Sequence, residues 1–157
     1  MKFKINMDSL HTGGTLGEEA GYVNNIAELA MIEAHRAAEQ SRHPRSKVGC
    51  AIFTRQDNES IRGFNCEATE GTWIHAEAMA IANAAKRGIC LDKSTMAINW
   101  FPCLNCAILI VNAGITCLCY DEQAANARWN DPKYNFQHSY DYLMSFGVEL
   151  VPMVSRD

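Results

Sequence analysis

Between Thr95 and Met153, short apolar runs alternate with stretches of helical periodicity, and this alternation restricts the fold more than any other feature of the chain. Thr95 to Trp100, Ile115 to Tyr120 and Val148 to Met153 are each of strand length, with a helical stretch between one and the next. A strand, a helix and a further strand in that order pair in parallel through a right-handed crossover. Upstream, Val48 to Phe53 and Ser60 to Asn65 flank the turn-forming Gln56-Asp57-Asn58-Glu59, which suits an antiparallel hairpin. The expected architecture is α/β, a three-layer α/β/α sandwich on a mixed five-stranded sheet.

The helices follow from apolar spacing and from their stop signals. Ile26, Leu29, Ala30, Ala34, Ala37 and Ala38 predict a helix from Asn25 to about Ser41, ended by His43-Pro44. A second helix is expected from His75 through Ala85, with Lys86-Arg87 and Gly88 closing it. The third is expected to have Pro102 in its first turn and to run to Asn112, with Gly114 beyond it. Residues 121–136 read as irregular with some helix near Asp121 to Trp129, and His138 to Phe146 forms a last helix capped by Gly147. Residues 66–74 read as a loop. Residues 1–23, with Gly13-Gly14, Gly17 and Gly21, read as an arm or irregular lead-in, and 24–157 as one domain.

Composition excludes several classes of function. A net charge of −4 gives no broad footprint for a nucleic-acid backbone, so a nucleic-acid partner is not expected. No apolar run reaches the ~20 residues of a membrane helix, and Met1-Lys2-Phe3-Lys4 is not followed by a signal-type apolar segment. A cytoplasmic location is the resulting expectation. The 7 cysteines are an odd number, which argues against a disulfide framework. Cys50, Cys117 and Cys119 lie in apolar strand-like runs and read as core, whereas Cys66 and Cys90 give no clear signal.

Two short stretches carry the chemistry. Cys103 and Cys106 are three apart at a helix start, so both sulfurs share one face, and the helix N-terminus favours thiolate. His75 opens the preceding helix. If the two helix N-termini lie side by side, one imidazole and two thiolates converge as a zinc-type ligand set, with the fourth position open. Glu77 is then a spare carboxylate beside the metal, suited to moving protons. Each half alone has plainer readings. His-x-Glu is common at helix starts, and Cys-x-x-Cys also serves redox chemistry or a structural zinc, for which Cys66 is the nearest fourth ligand.

The joint pattern His75-Ala76-Glu77 with Pro102-Cys103-Leu104-Asn105-Cys106 resembles the zinc-dependent cytidine and deoxycytidylate deaminase superfamily. The similarity extends over most of residues 25–153. Phe101-Pro102-Cys103, the run Ala107 to Ile115 and Gly63-Phe64-Asn65 look like deoxycytidylate deaminases, as does Arg45-Ser46-Lys47-Val48-Gly49. The resemblance implies a cytidine deaminase-like fold, Zn2+ held by His75, Cys103 and Cys106, and Glu77 as proton shuttle. It further implies Asn65 as a substrate ligand and Arg45 near a nucleotide phosphate, with Lys47 competing for that place. A turn residue and a solvated charge are the plainer readings of Asn65 and Arg45.

The implied reaction is hydrolytic removal of ammonia from a cytosine-type nucleotide such as dCMP, by a homo-oligomer acting on a small-molecule substrate. Ala78-Met79-Ala80 departs from the usual continuation and looks more like tRNA adenosine deaminases, and Asn99-Trp100 alters an expected pocket wall. The alternatives are therefore deamination of another base or nucleoside (guanine, adenine or tRNA adenosine), or a non-catalytic zinc domain. Trp73, Trp100, Trp129 and Tyr134 are further candidates for stacking on a base or for an interface.

Overall fold

The sheet is ordered by the direction in which its connections run. The computed structural model describes residues 16–55 and 60–154, with side chains from residue 25 onward. Among these residues the elements are α1 (Leu16–Glu39), β1 (Gly49–Phe53), β2 (Ser60–Phe64), β3 (Cys66–Thr69), β4 (Thr72–Ile74) and α2 (Ala76–Arg87). They continue with β5 (Thr95–Ile98), α3 (Leu104–Asn112), β6 (Cys117–Asp121), α4 (Glu122–Asn126), α5 (Phe136–Ser145) and β7 (Glu149–Met153). The main sheet has the order β2-β1-β5-β6-β7, with β1 antiparallel to both β2 and β5, and β5, β6 and β7 mutually parallel.

Because β1 opposes both its neighbours, β2 and β5 point the same way. The connections β2 to β5, β5 to β6 and β6 to β7 are thus all parallel crossovers running in one direction across the sheet. A fixed right-handed crossover then places α2, α3 and α5 on one face. The opposite face is left to α1, which gives the three layers expected from the sequence.

Side-chain alternation along the strands feeds both layers. Cys50, Ile52, Met96, Ile98 and Leu118 pack with Ala80, Ala107, Ile110 and Leu143 of the α2, α3 and α5 layer. Their neighbours Ala51, Ala97, Cys117 and Cys119 face Ala27, Ala30, Met31 and Ala34 of α1. The α1 face is lined with small residues, so that helix sits close to the sheet. At Gly49 an added Cβ would collide with the α1 backbone at Ala34 and Ala38, and at Gly63 with the α2 backbone at Ala76 and Ala80.

Several boundaries differ from expectation. The first helix begins at Leu16, not Asn25, so the later part of the expected lead-in is helical. The remainder of that lead-in, and the turn over 56–59, lie outside the described residues. Residues 66–74 form the small two-stranded β3-β4 sheet and not a loop. Pro102 stands just before α3, whose N-cap is Cys103, and the last helix starts at Phe136. The C-terminal glycines behave as expected, with φ of 67° at Gly88, 85° at Gly114 and 75° at Gly147. No helix among the described residues is long and apolar enough to cross a membrane.

Candidate active site

The parallel relation of β2 and β5 places the starts of α2 and α3 at the same edge of the sheet, where ligands of open α/β sheets bind. His75 is the N-cap of α2 and Cys103 the N-cap of α3, both with extended backbones (φ −71°, ψ 152° and φ −70°, ψ 167°). Neither side chain makes a capping hydrogen bond. A Ser, Asp or Asn at such a position typically contributes ~1 kcal/mol to the helix, and this chain forgoes it twice. What is gained is a convergence of donor atoms.

His75 Nδ1 lies 3.5 Å from Cys103 Sγ and 3.5 Å from Cys106 Sγ. All three ligand atoms fall within 4.8 Å of one another, and among the described residues no other such cluster of His, Cys, Asp and Glu occurs. Tetrahedral zinc with Zn–S of ~2.3 Å and Zn–N of ~2.0–2.1 Å requires an S···N separation of about 3.6 Å. The donor set and its two N···S separations therefore suit zinc. Cys66, the nearest candidate for a fourth ligand, is not part of the cluster. All 7 cysteines are free thiols.

The charges respond to this crowding. A hydrogen bond from the Cys106 thiol holds the Cys103 sulfur well below the usual thiol range, to about 4, as does the His75 ring beside it. Cys106 is pushed up by the same shared proton and by burial. His75 is raised, chiefly by its hydrogen bond to Cys103. Glu77 is 3% exposed at the first turn of α2, and burial lifts its carboxyl to about 7, with its own backbone N–H and His75 pulling the other way. Such a carboxyl can both take and give a proton near neutrality.

A cavity of about 230 Å³ opens onto His75, Glu77 and Cys103. Its apolar walls are Val48, Ala76, Trp100, Phe101, Tyr134 and Phe136. Phe101 is fixed by edge contacts to Tyr120 (4.9 Å) and Trp129 (5.2 Å) and by Phe136 at 5.3 Å. Trp100 is held by the Arg128 guanidinium, 3.9 Å over its ring, and by Tyr134. These walls are rigid, flat and aromatic.

Among the sequence candidates, Asn65 does border the cavity and is 7% exposed. Its side chain is heavily committed. Oδ1 accepts from Ser41 Oγ (2.6 Å) and Val48 N (2.9 Å), and Nδ2 donates to Ser46 O (2.8 Å). Asn65 thus ties β2 to the segment 41–48 that forms one wall. Arg45 and Lys47 are exposed and do not border the cavity. The tight turn after Pro44 carries Arg45 away, its N–H donating back to His43 Nδ1 at 3.2 Å.

Asn99 is also not a wall. It bridges strands, accepting from Gly49 N (2.9 Å) and donating to Lys47 O (3.1 Å). Met79 does not border the cavity, and Trp73 and Trp129 serve as packing for His43 and for Phe101. Trp129 and Tyr134 belong to this half-buried aromatic cluster. His43, Ser46, Lys133 and Phe136 border the cavity without having been singled out from sequence.

Residues 24–121 match the family model described as the cytidine and deoxycytidylate deaminase zinc-binding region. The deoxycytidylate deaminase of Enterobacteria phage T4 is 31% identical over 136 residues, 84% of this chain and 61% of that protein. ComE operon protein 2 of Bacillus subtilis (strain 168) is 32% identical over 107 residues, 59% of this chain and 57% of that protein. The chain spans about three fifths of the length of these curated relatives. Among solved structures, the dCMP deaminase of cyanophage S-TIM5 in complex with dCMP and dUMP superposes with a TM-score of 0.65 at 25% identity, covering 82% of this chain and 97% of that one.

Proposed function

The chain belongs to the cytidine and deoxycytidylate deaminase family with its zinc-binding region, and from that premise we propose that it hydrolyses the exocyclic amine of a cytosine-type nucleotide, dCMP or a close analogue. The observation that carries the reading is the buried Glu77 carboxyl beside the three converging ligand atoms, at the floor of an aromatic-walled cavity. A structural zinc site has no use for such a carboxylate.

His75, Cys103 and Cys106 would hold the metal. Bound zinc acts as a Lewis acid that makes water a stronger nucleophile at neutral pH. The remaining work falls to the chain's own side chains. Trp100, Phe101, Tyr134 and Phe136 confine a flat ring and keep bulk water from it, so that C4 meets the attacking water in one orientation. As the C4–O bond forms, Glu77 accepts the water's proton and delivers it to ring N3. It then takes the remaining proton from the new C4 hydroxyl and passes it to the amine, the C4–N bond breaks as the C4 carbonyl forms, and ammonia leaves beside the uracil product. A carboxyl lifted to about 7 suits both directions of transfer.

A homo-oligomer in the cytoplasm completes this reading. It is supported by free thiols that suit a reducing compartment and by exposed Ile108 and Leu109 on α3. The test is Glu77→Gln, which keeps the size of the side chain and removes the acid–base function. Zinc content should stay unchanged while turnover falls by roughly 10²–10⁴-fold. Full turnover in a zinc-replete Glu77→Gln protein would sink the assignment.

A further inference from the structure

We propose that Asn99 is a positioning residue whose side-chain amide sets the separation of two walls of the cavity, so that the site takes a single six-membered ring and refuses a fused purine. This rests on the cavity being the substrate site of the deaminase reading. Ser46 and Val48, just ahead of β1, form one wall, and Trp100 and Phe101, just beyond β5, form another. β1 and β5 are antiparallel neighbours whose paired residues end with Cys50 opposite Ile98. One rung further, Asn99 N donates to Gly49 O at 3.2 Å, but Gly49 N donates to the Asn99 side chain, to Oδ1 at 2.9 Å. In a continued ladder that N–H would go to the main-chain carbonyl of Asn99. The side chain takes the carbonyl's place, which lets the main chain after β5 turn away toward Cys103. The amide nitrogen then donates to Lys47 O at 3.1 Å.

Asn65 does the same on the other flank. Asn65 N donates to Val48 O at 3.0 Å, Val48 N donates to Asn65 Oδ1 at 2.9 Å, and Asn65 Nδ2 donates to Ser46 O at 2.8 Å. Residues 46–49 are thus held between two carboxamides as an extension of β1. Strand alternation then turns Ser46 and Val48 toward the cavity and leaves Lys47 exposed. The two flanks differ in what they join. Asn65 ties this wall to β2, whereas Asn99 ties it to the stretch that carries Trp100 and Phe101. Among the described residues, the side-chain hydrogen bonds between those two stretches are both made by Asn99. The second wall is pinned elsewhere, Trp100 by Arg128 at 3.9 Å and Phe101 by Tyr120 and Phe136. With that wall fixed, the tie at Asn99 sets the gap. In a cavity of about 230 Å³, below the ~300–1,000 Å³ usual for ligand pockets, the gap decides which ring enters.

The pair dUMP and dIMP isolates the effect, because both carry the same sugar and phosphate, one on a six-membered and one on a fused ring, and neither needs turnover to bind. In calorimetric titration of the zinc-loaded protein, dUMP should bind about 10-fold or more tightly than dIMP. Asn99→Ala removes both side-chain hydrogen bonds. It should weaken dUMP binding about 10-fold, the size of one lost hydrogen bond, and should leave dIMP binding within about 2-fold or tighten it. Asn99→Thr keeps one hydroxyl at a strand end and should fall between Asn99→Ala and wild type; it carries the same comparison if Asn99→Ala does not fold. Asn112→Ala, which removes an amide hydrogen bond to Ile108 O (2.8 Å) away from the cavity, should change neither affinity. A merely structural role for Asn99 would weaken both ligands alike. Equal loss of both, or no change in either, therefore overturns the proposal, as does wild-type protein that binds the two alike. Absence of ammonia release from every cytosine nucleotide, alongside an Asn99-dependent preference for dUMP, would remove the deaminase reading and leave the positioning role standing.

Discussion

The two N-cap residues, His75 and Cys103, depart from what a helix start ordinarily holds. Each sits where a helix normally takes a capping hydroxyl or carboxyl, and each withholds its side chain from capping. Cys103→Ala removes one of three donors and leaves an imidazole and one sulfur, so zinc per chain, read by elemental analysis, should fall from near one to well below it. Retention of a full equivalent would contradict the ligand set. The convergence of His75, Cys103 and Cys106 was legible because their spacing along the chain encodes shared faces at helix starts. The places of His43 and Lys133 at the cavity were not, since one depends on the turn through Pro44 and the other on a distant loop folding back beside Tyr134. The same turn keeps Arg45 from bordering the cavity, which a pattern of residue types does not reveal.

The elements that mattered for the site were readable for a physical reason. Short apolar runs and stretches of period 3.6 alternate clearly from Thr95 onward, and crossover handedness converts that order into a sheet with α2 and α3 starting at one edge. The hairpin of β3 and β4 escaped because it is mostly exposed and too short to show a buried face. The early start of α1 escaped because Gly17 and Gly21 read as breakers, although α1 continues through both. The close approach of helix to sheet is itself testable. Gly63→Ala would drive a methyl into the α2 backbone at Ala76 and Ala80, whereas an added Cβ at Gly88 meets nothing and faces only the strain of its positive φ. Denaturant unfolding should show Gly63→Ala costing about 1–3 kcal/mol or more, and Gly88→Ala about 1 kcal/mol. Equal costs at the two positions would argue against α2 resting on the β2 backbone.

At the scale of the whole molecule, one face of the sheet serves α1 and stability, while the other supports the helices whose N-termini make the centre. The aromatic cluster around Phe101 links the wall of the cavity to α5 and β6. The most direct measurement is the simultaneous assay of ammonia and dUMP after incubating the zinc-loaded protein with dCMP. The expected result is equal molar release of both, slowed by roughly 10²–10⁴-fold in zinc-replete Glu77→Gln protein. Zinc bound at one per chain with no ammonia from dCMP or from any other cytosine nucleotide would contradict it.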